Sequence, residues 1–135
     1  MKVIVDTNIL FSALISQESV LRKTLFTDEV DFYAPNFAFV ELFKYKEKIQ
    51  KLAKLSDNEL FEFMNLLLNR ITFVNEKFIS LTSKQKAYDL CKDIDLKDIV
   101  FVALAFELNA LLWTGDKKLK IGLELHGFVD FFKTD

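Results

Sequence analysis

Three glycines and one proline in 135 residues are too few to turn the roughly eight corners of a sandwich or barrel of short strands. Helices must therefore carry much of the chain. At this length one domain, residues 1–135, is expected. Apolar residues make up 51% of the sequence and fifteen of them are Phe. That is enough material to bury on the order of two thirds of the unfolded surface, and it excludes a disordered chain.

Periodicity supplies the order of elements. Lys2 to Val5 is an apolar strand ending at Asp6, followed by the helical pattern Ile9, Leu10, Ala13, Leu14. A second helix is expected over Val20 to Thr27, then a strand from Asp31 to Ala34 stopped by Pro35. Asn36 is expected to cap one long helix reaching about Leu55, and Ser56-Asp57-Asn58-Glu59 reads as a capping box for a helix ending near Asn69. Ile71 to Val74 is the third strand. Ser83 to Cys91 and Leu96 to Leu108 follow as helices, Ala110 to Trp113 as the fourth strand, Asp116 to Leu125 as a helix closed by Gly127, and Phe128 to Asp130 as a short last strand. Strands separated by helices require crossover connections. The expected fold class is thus α/β, three layers (α/β/α) around a parallel sheet of four to five strands.

Charge and cysteine content narrow the setting. Eighteen Lys and Arg against twenty Asp and Glu give a net charge of −2, the wrong sign for holding nucleic acid by bulk charge alone. A polyanion partner then requires a local basic patch or a metal. Lys44, Lys48 and Lys51 recur at i, i+4 and i+7, and Lys117, Lys118 and Lys120 form a second cluster; both patterns also suit ordinary solvated helix faces. The longest apolar run, Ile99 to Phe106, is far below the roughly 18 residues of a membrane span. With an acid at position 6 and a single cysteine, Cys91, a cytoplasmic location is expected.

In a parallel α/β fold the strand C-termini and the following helix N-termini share one edge, where ligands bind. Asp6 ends the first strand, Glu41 lies in the second turn after the second strand, Asp98 opens the helix before the fourth, and Asp116 follows the fourth. Asp95 stands one turn before Asp98. Carboxylates gathered at one edge repel unless a cation is bound. Oxygen-only donors select Mg²⁺ or Mn²⁺, and such ions can orient a water and stabilise the leaving oxygen of a phosphodiester. Each acid also has a plainer explanation. Asp6, Asp95, Asp98 and Asp116 can serve helix starts, and Glu41 can pair with Lys44 or Lys48. Glu41 stands out because it interrupts Phe37-Ala38-Phe39-Val40 and Leu42-Phe43, and Asp6 because its strand is buried.

Val3-Ile4-Val5-Asp6-Thr7-Asn8, the isolated Glu41, Asp98-Ile99-Val100-Phe101-Val102-Ala103-Leu104-Ala105 and Leu111-Leu112-Trp113-Thr114-Gly115-Asp116 together resemble the PIN-domain nucleases, in the right order along nearly the whole chain. Val100, Phe101, Gly115 and Leu119 depart from the common toxin pattern, while all four acids are kept. The resemblance implies that Asp6, Glu41, Asp98 and Asp116 hold Mg²⁺ or Mn²⁺, that Asn8 and Thr114 orient them, and that Asp95 supports them. It further implies endoribonuclease activity on single-stranded RNA, commonly as the toxin of a VapC-type pair with an antitoxin protein, and a homodimer. Lys44, Lys48 and Lys117 are the candidate RNA contacts.

Other schemes fit less well. His126, before Gly127, reads as a helix C-terminal residue rather than a general base. No Walker loop or Gly-x-Gly-x-x-Gly occurs. Asn8 replaces the second acid that a haloacid dehalogenase phosphatase requires. The alternative kept open is a PIN-like module that binds RNA or protein without cleaving.

Overall fold

The structure is a computed structural model that describes residues 1–16 and 20–134. Four strands, β1 (Lys2–Val5), β2 (Asp31–Pro35), β3 (Ile71–Val74) and β4 (Leu111–Trp113), form one sheet in the order β3-β2-β1-β4. All three pairings are parallel; Ile4 lies opposite Tyr33 on one side and Leu112 on the other. Val3, Ile4 and Val5 are all fully buried. An uninterrupted apolar run, rather than alternation, is what a central parallel strand covered on both faces requires.

Among the described residues eight α-helices flank the sheet: α1 (Thr7–Ile15), α2 (Val20–Leu25), α3 (Asn36–Lys44), α4 (Lys46–Ala53), α5 (Asp57–Leu68), α6 (Leu81–Cys91), α7 (Ile99–Leu108) and α8 (Lys117–Leu125). On one side α7 lies against β1, β2 and β4 and is backed by α6, which also touches α8; on the other, α1 packs on α2, α3 and α4. The core joins Leu10 and Leu14 of α1, Leu104 of α7, Leu112 of β4 and Leu123 of α8. Phe32, Trp113 and Phe132 stack in it with ring centroids 5.2 to 6.5 Å apart. No helix among the described residues is long and apolar enough to cross a membrane.

Four expectations need correction. The helix predicted from Asn36 to Leu55 is two helices, bent at Tyr45 (φ −104°, ψ 16°). The bend lets α4 lean on α1, burying Ile49, while α3 stays on β2 and β3. Lys44 is thereby separated from the helix that bears Lys48 and Lys51. Asn36 is not the cap. Pro35 occupies that position without a side-chain bond, and the Phe37 amide is served from a distance by Glu76 Oε1 at 2.7 Å. The predicted fifth strand shrinks to an isolated bridge between Leu112 and Phe131. Gly127 (φ +89°) turns the chain, and the Phe131 amide bonds back to the Val129 carbonyl at 2.9 Å, which breaks the extended path. Finally, Leu96–Asp98 is a 3₁₀ turn leading into α7, not its first turn. The capping box at Ser56 and Glu59 is present, with both reciprocal bonds made.

One glycine matters for the site. An added Cβ at Gly122 of α8 would stand 2.9 Å from Ile94 Cγ1. This close approach seats the segment that carries Asp95 and Asp98.

Candidate active site

The chain steps from β1 out to β2 and β3, then returns across the sheet to add β4 on the far side of β1. Between β1 and β4 the direction of strand addition reverses, and at such a point a crevice opens beyond the strand carboxyl ends. Asp6 follows β1; Thr114, Gly115 and Asp116 follow β4. The Asp6 amide donates to the Trp113 carbonyl at 3.0 Å and ties the two strand ends together.

Asp6 is 6% exposed. Its Oδ1 accepts from the Asn8 amide at 3.4 Å, capping α1, and its Oδ2 accepts from Thr114 Oγ1 at 2.7 Å. The same threonine oxygen accepts from the Asp116 amide at 3.1 Å, so one hydroxyl joins the end of β1 to the start of α8. Asp116 Oδ1 in turn accepts from the Leu119 amide at 3.1 Å and caps α8. Glu41 reaches the edge from the second turn of α3, and its Oε1 accepts from Thr7 Oγ1 at 2.8 Å. Asp98 makes no cap bond at the start of α7. Asp95 does make one, accepting from the Lys97 amide at 3.0 Å.

The electrostatics tie these acids into one group. Burial pushes the Asp98 carboxyl up to about 7, and the charges of Asp6, Asp95, Asp116 and Glu41 add to the shift. Burial also raises Asp6, against the lowering effect of the hydrogen bonds from Thr114 and Asn8, and the charges of Asp116 and Glu41 raise it further. A carboxylate desolvated and surrounded by like charge favours its neutral form. Relief comes from a proton or from a cation.

Asp6, Glu41, Asp98 and Asp116 would be the oxygen donors this edge offers a divalent ion. Hard carboxylate oxygens suit Mg²⁺ or Mn²⁺, and the Asp98 carboxylate has no hydrogen bond among the described residues to offset its charge. The donor chemistry therefore fits such an ion. Among the described residues no three acids form a ready-made coordination shell.

The supporting residues differ in how they reach the site. Thr114 touches two of the acids through its hydroxyl. Asn8 bonds Asp6 through its backbone, while its side chain is exposed. Asp95 is exposed and caps the 3₁₀ turn, yet its charge acts on Asp98. Lys44 lies with its ammonium 5.5 Å from the Tyr45 ring, and Lys48 5.9 Å from the ring of Phe11, one turn along α1 from Thr7. Lys117 is exposed beside Asp116 at the start of α8. Thr7 had no role in the sequence reading. A hydroxyl directly after the strand-ending acid, at the first position of a helix, is the only signal the sequence offers for it.

An apolar groove of about 1160 Å³ adjoins the acids, lined by Phe37 and Val40 of α3, Leu81 and Tyr88 of α6, and Leu96 and Val100. Val40 precedes Glu41, and Leu96 and Val100 flank Asp98. Lys84 and Lys97 stand on its walls.

Solved structures share this architecture. VapBC2 from Rickettsia felis bound to a DNA fragment from its promoter has a chain that superposes with a TM-score of 0.67 at 18% identity, covering 90% of this chain and 92% of that one. VapBC-1 from nontypeable Haemophilus influenzae gives 0.63 at 18%, covering 92% and 93%. A toxin-antitoxin complex from Klebsiella pneumoniae gives 0.62 at 17%, covering 86% and 88%. At these identities the likeness is one of fold. In sequence, an uncharacterised protein of Methanocaldococcus jannaschii is 31% identical over 124 residues, which span 87% of this chain and 72% of that protein. Residues 4–128, from β1 to beyond α8, match the PIN domain family, and this chain is therefore a member of it.

Proposed function

We propose that this chain is a metal-dependent endoribonuclease that hydrolyses phosphodiester bonds of single-stranded RNA, and that it acts as the toxin of a toxin-antitoxin pair in the cytoplasm. The observation that supports the reading is that Asp6 and Asp116 follow β1 and β4 and that the charges of Asp6, Glu41 and Asp116 act on the half-buried Asp98 carboxyl, helping to raise it to about 7. Membership of the PIN domain family supports nuclease chemistry. The fold shared with chains from VapBC and other toxin-antitoxin complexes supports an antitoxin partner.

In this reading Asp6, Glu41, Asp98 and Asp116 hold Mg²⁺ or Mn²⁺. When bound, the ion makes water nucleophilic at neutral pH and offsets charge on the leaving oxygen. Thr114 fixes Asp6 and the entry to α8, which keeps two of the donors in register. Lys44, Lys48 and Lys117 contact RNA phosphates, and Asn8 and Asp95 support the acids at the start of α1 and before α7. Attack by water in line with the leaving oxygen yields a 3′-hydroxyl and a 5′-phosphate, since the ribose 2′-hydroxyl is not the nucleophile. The partners are single-stranded RNA, an antitoxin protein and a second copy of the chain.

The test is cleavage of single-stranded RNA with Mg²⁺ or Mn²⁺ against an EDTA control, with end analysis of the products. Activity in EDTA, or 2′,3′-cyclic phosphate ends, overturns the mechanism. RNA binding without cleavage in any metal favours the non-catalytic alternative.

A further inference from the structure

We propose that Thr7 is a positioning residue for Glu41, and through it for the divalent ion; the inference rests on the metal-site reading above. Glu41 is the one acid of the four that arrives on a long side chain from a neighbouring helix. The other three follow a strand or stand at the start of a helix, and two of them are held by cap bonds. A glutamate has three rotatable bonds, and ordering it carries a large entropic cost. Thr7 Oγ1 donates to Glu41 Oε1 at 2.8 Å across 34 residues of sequence.

Three features make this bond a device for aim. Thr7 is 9% exposed, so water competes weakly for its hydroxyl. As a β-branched residue its first side-chain torsion is stiff, so the direction of the donor is set by the backbone at the first position of α1. That backbone is fixed to the site itself, because Asp6 caps the same helix and bonds to Thr114. The bond occupies Oε1 and leaves Oε2 of Glu41 for the ion. Such outer-shell partners orient first ligands and, when removed, weaken metal binding by roughly 10- to 100-fold.

The experiment measures Mn²⁺ affinity by calorimetry on the purified full chain, for wild type, Thr7→Val, Thr7→Ser, Glu41→Gln and the double variant Thr7→Val/Glu41→Gln. Melting curves in EDTA accompany each. Valine keeps the shape and stiffness of threonine and removes only the hydroxyl. Thr7→Val is expected to weaken Mn²⁺ binding about 10-fold, and Thr7→Ser to stay within about 3-fold of wild type. In the double variant Thr7→Val should cost little beyond Glu41→Gln, because the hydroxyl acts through that carboxylate. Wild-type affinity in Thr7→Val, or equal losses in Thr7→Val and Thr7→Ser, overturns the role of the hydroxyl. So does a full additive loss in the double variant, and a 10-fold loss in Thr7→Ser overturns it even where Thr7→Val is poorly folded. Failure of the wild type to bind Mn²⁺ is a separate result and overturns the metal-site reading itself.

Discussion

Replacing Asp98 by Asn changes stability in a direction that depends on whether the residue serves a helix or a cluster of like charges. The Asp98 carboxyl is raised from 3.8 to about 7, first by burial and then by Asp6, Asp95, Asp116 and Glu41. The folded protein therefore keeps a proton that the unfolded chain loses between about pH 4 and pH 7. Stability falls as pH rises through that window, and the full penalty is present above it. At 1.36 kcal/mol per tenfold change in proton affinity the ceiling is about 4 kcal/mol. Water screens one side of this half-buried group, which brings the figure to about 1 to 2 kcal/mol. Asparagine carries no charge at any pH. In metal-free protein at pH 8, Asp98→Asn should raise Tm by about 3 to 8 °C, with the gain vanishing near pH 4. With saturating Mn²⁺ the order should narrow or reverse, because the wild type gains more from an ion that binds only the folded state. Thermal melts at pH 4, 6 and 8, in EDTA and in Mn²⁺, measure all of this. A pH-independent difference, or a lower Tm for Asp98→Asn at pH 8, refutes the charge-crowding argument.

Asp116 belongs to the same cluster but also caps α8, so Asp116→Ala should lose about 1 kcal/mol in EDTA while Asp116→Asn, which keeps a cap oxygen, should not; melts of the two variants compare them. Changing Lys44, Lys48 and Lys117 together to Ala should flatten the salt dependence of RNA binding by a log-log slope of roughly 0.7 per lost contact. Titrations at several salt concentrations read it, and an unchanged slope removes these lysines from the RNA path. Gly127 at φ +89° has no side chain to strain, so Gly127→Ala should cost about 1 kcal/mol, seen as a lower denaturation midpoint with unchanged cleavage.

The sheet was legible because its strands are short apolar runs, the central one buried on both faces. Val3-Ile4-Val5 and Ile71 to Val74 have no competing helical period, and each is followed by a helix start. What the sequence concealed was decided by distant partners. Nothing near Asn36 indicates that Glu76, some forty residues on, supplies the capping oxygen to α3. Nothing in the run from Asn36 to Leu55, which keeps a helical period throughout, marks the bend at Tyr45 that α1 and the sheet impose from opposite sides. The last strand failed for a local reason, the tight turn closed from Phe131 to Val129.

The placement of the acids was legible for a topological reason. A residue just past a parallel strand, or just inside the next helix, lies on one edge whatever the packing, so Asp6, Glu41, Asp98 and Asp116 could be assigned there from order alone. Separating Asp95 from Asp98 was not possible on that basis. Both precede a helix, three residues apart, and either could have supplied its cap. The 3₁₀ turn decides between them: it gives the Lys97 amide to Asp95 and leaves Asp98 without a backbone donor. A carboxylate with no donor among the described residues, desolvated and acted on by four other acids, lowers stability at neutral pH. Because Asp95 already serves the helix start, capping does not account for the crowding around Asp98, which the proposed cation site would relieve.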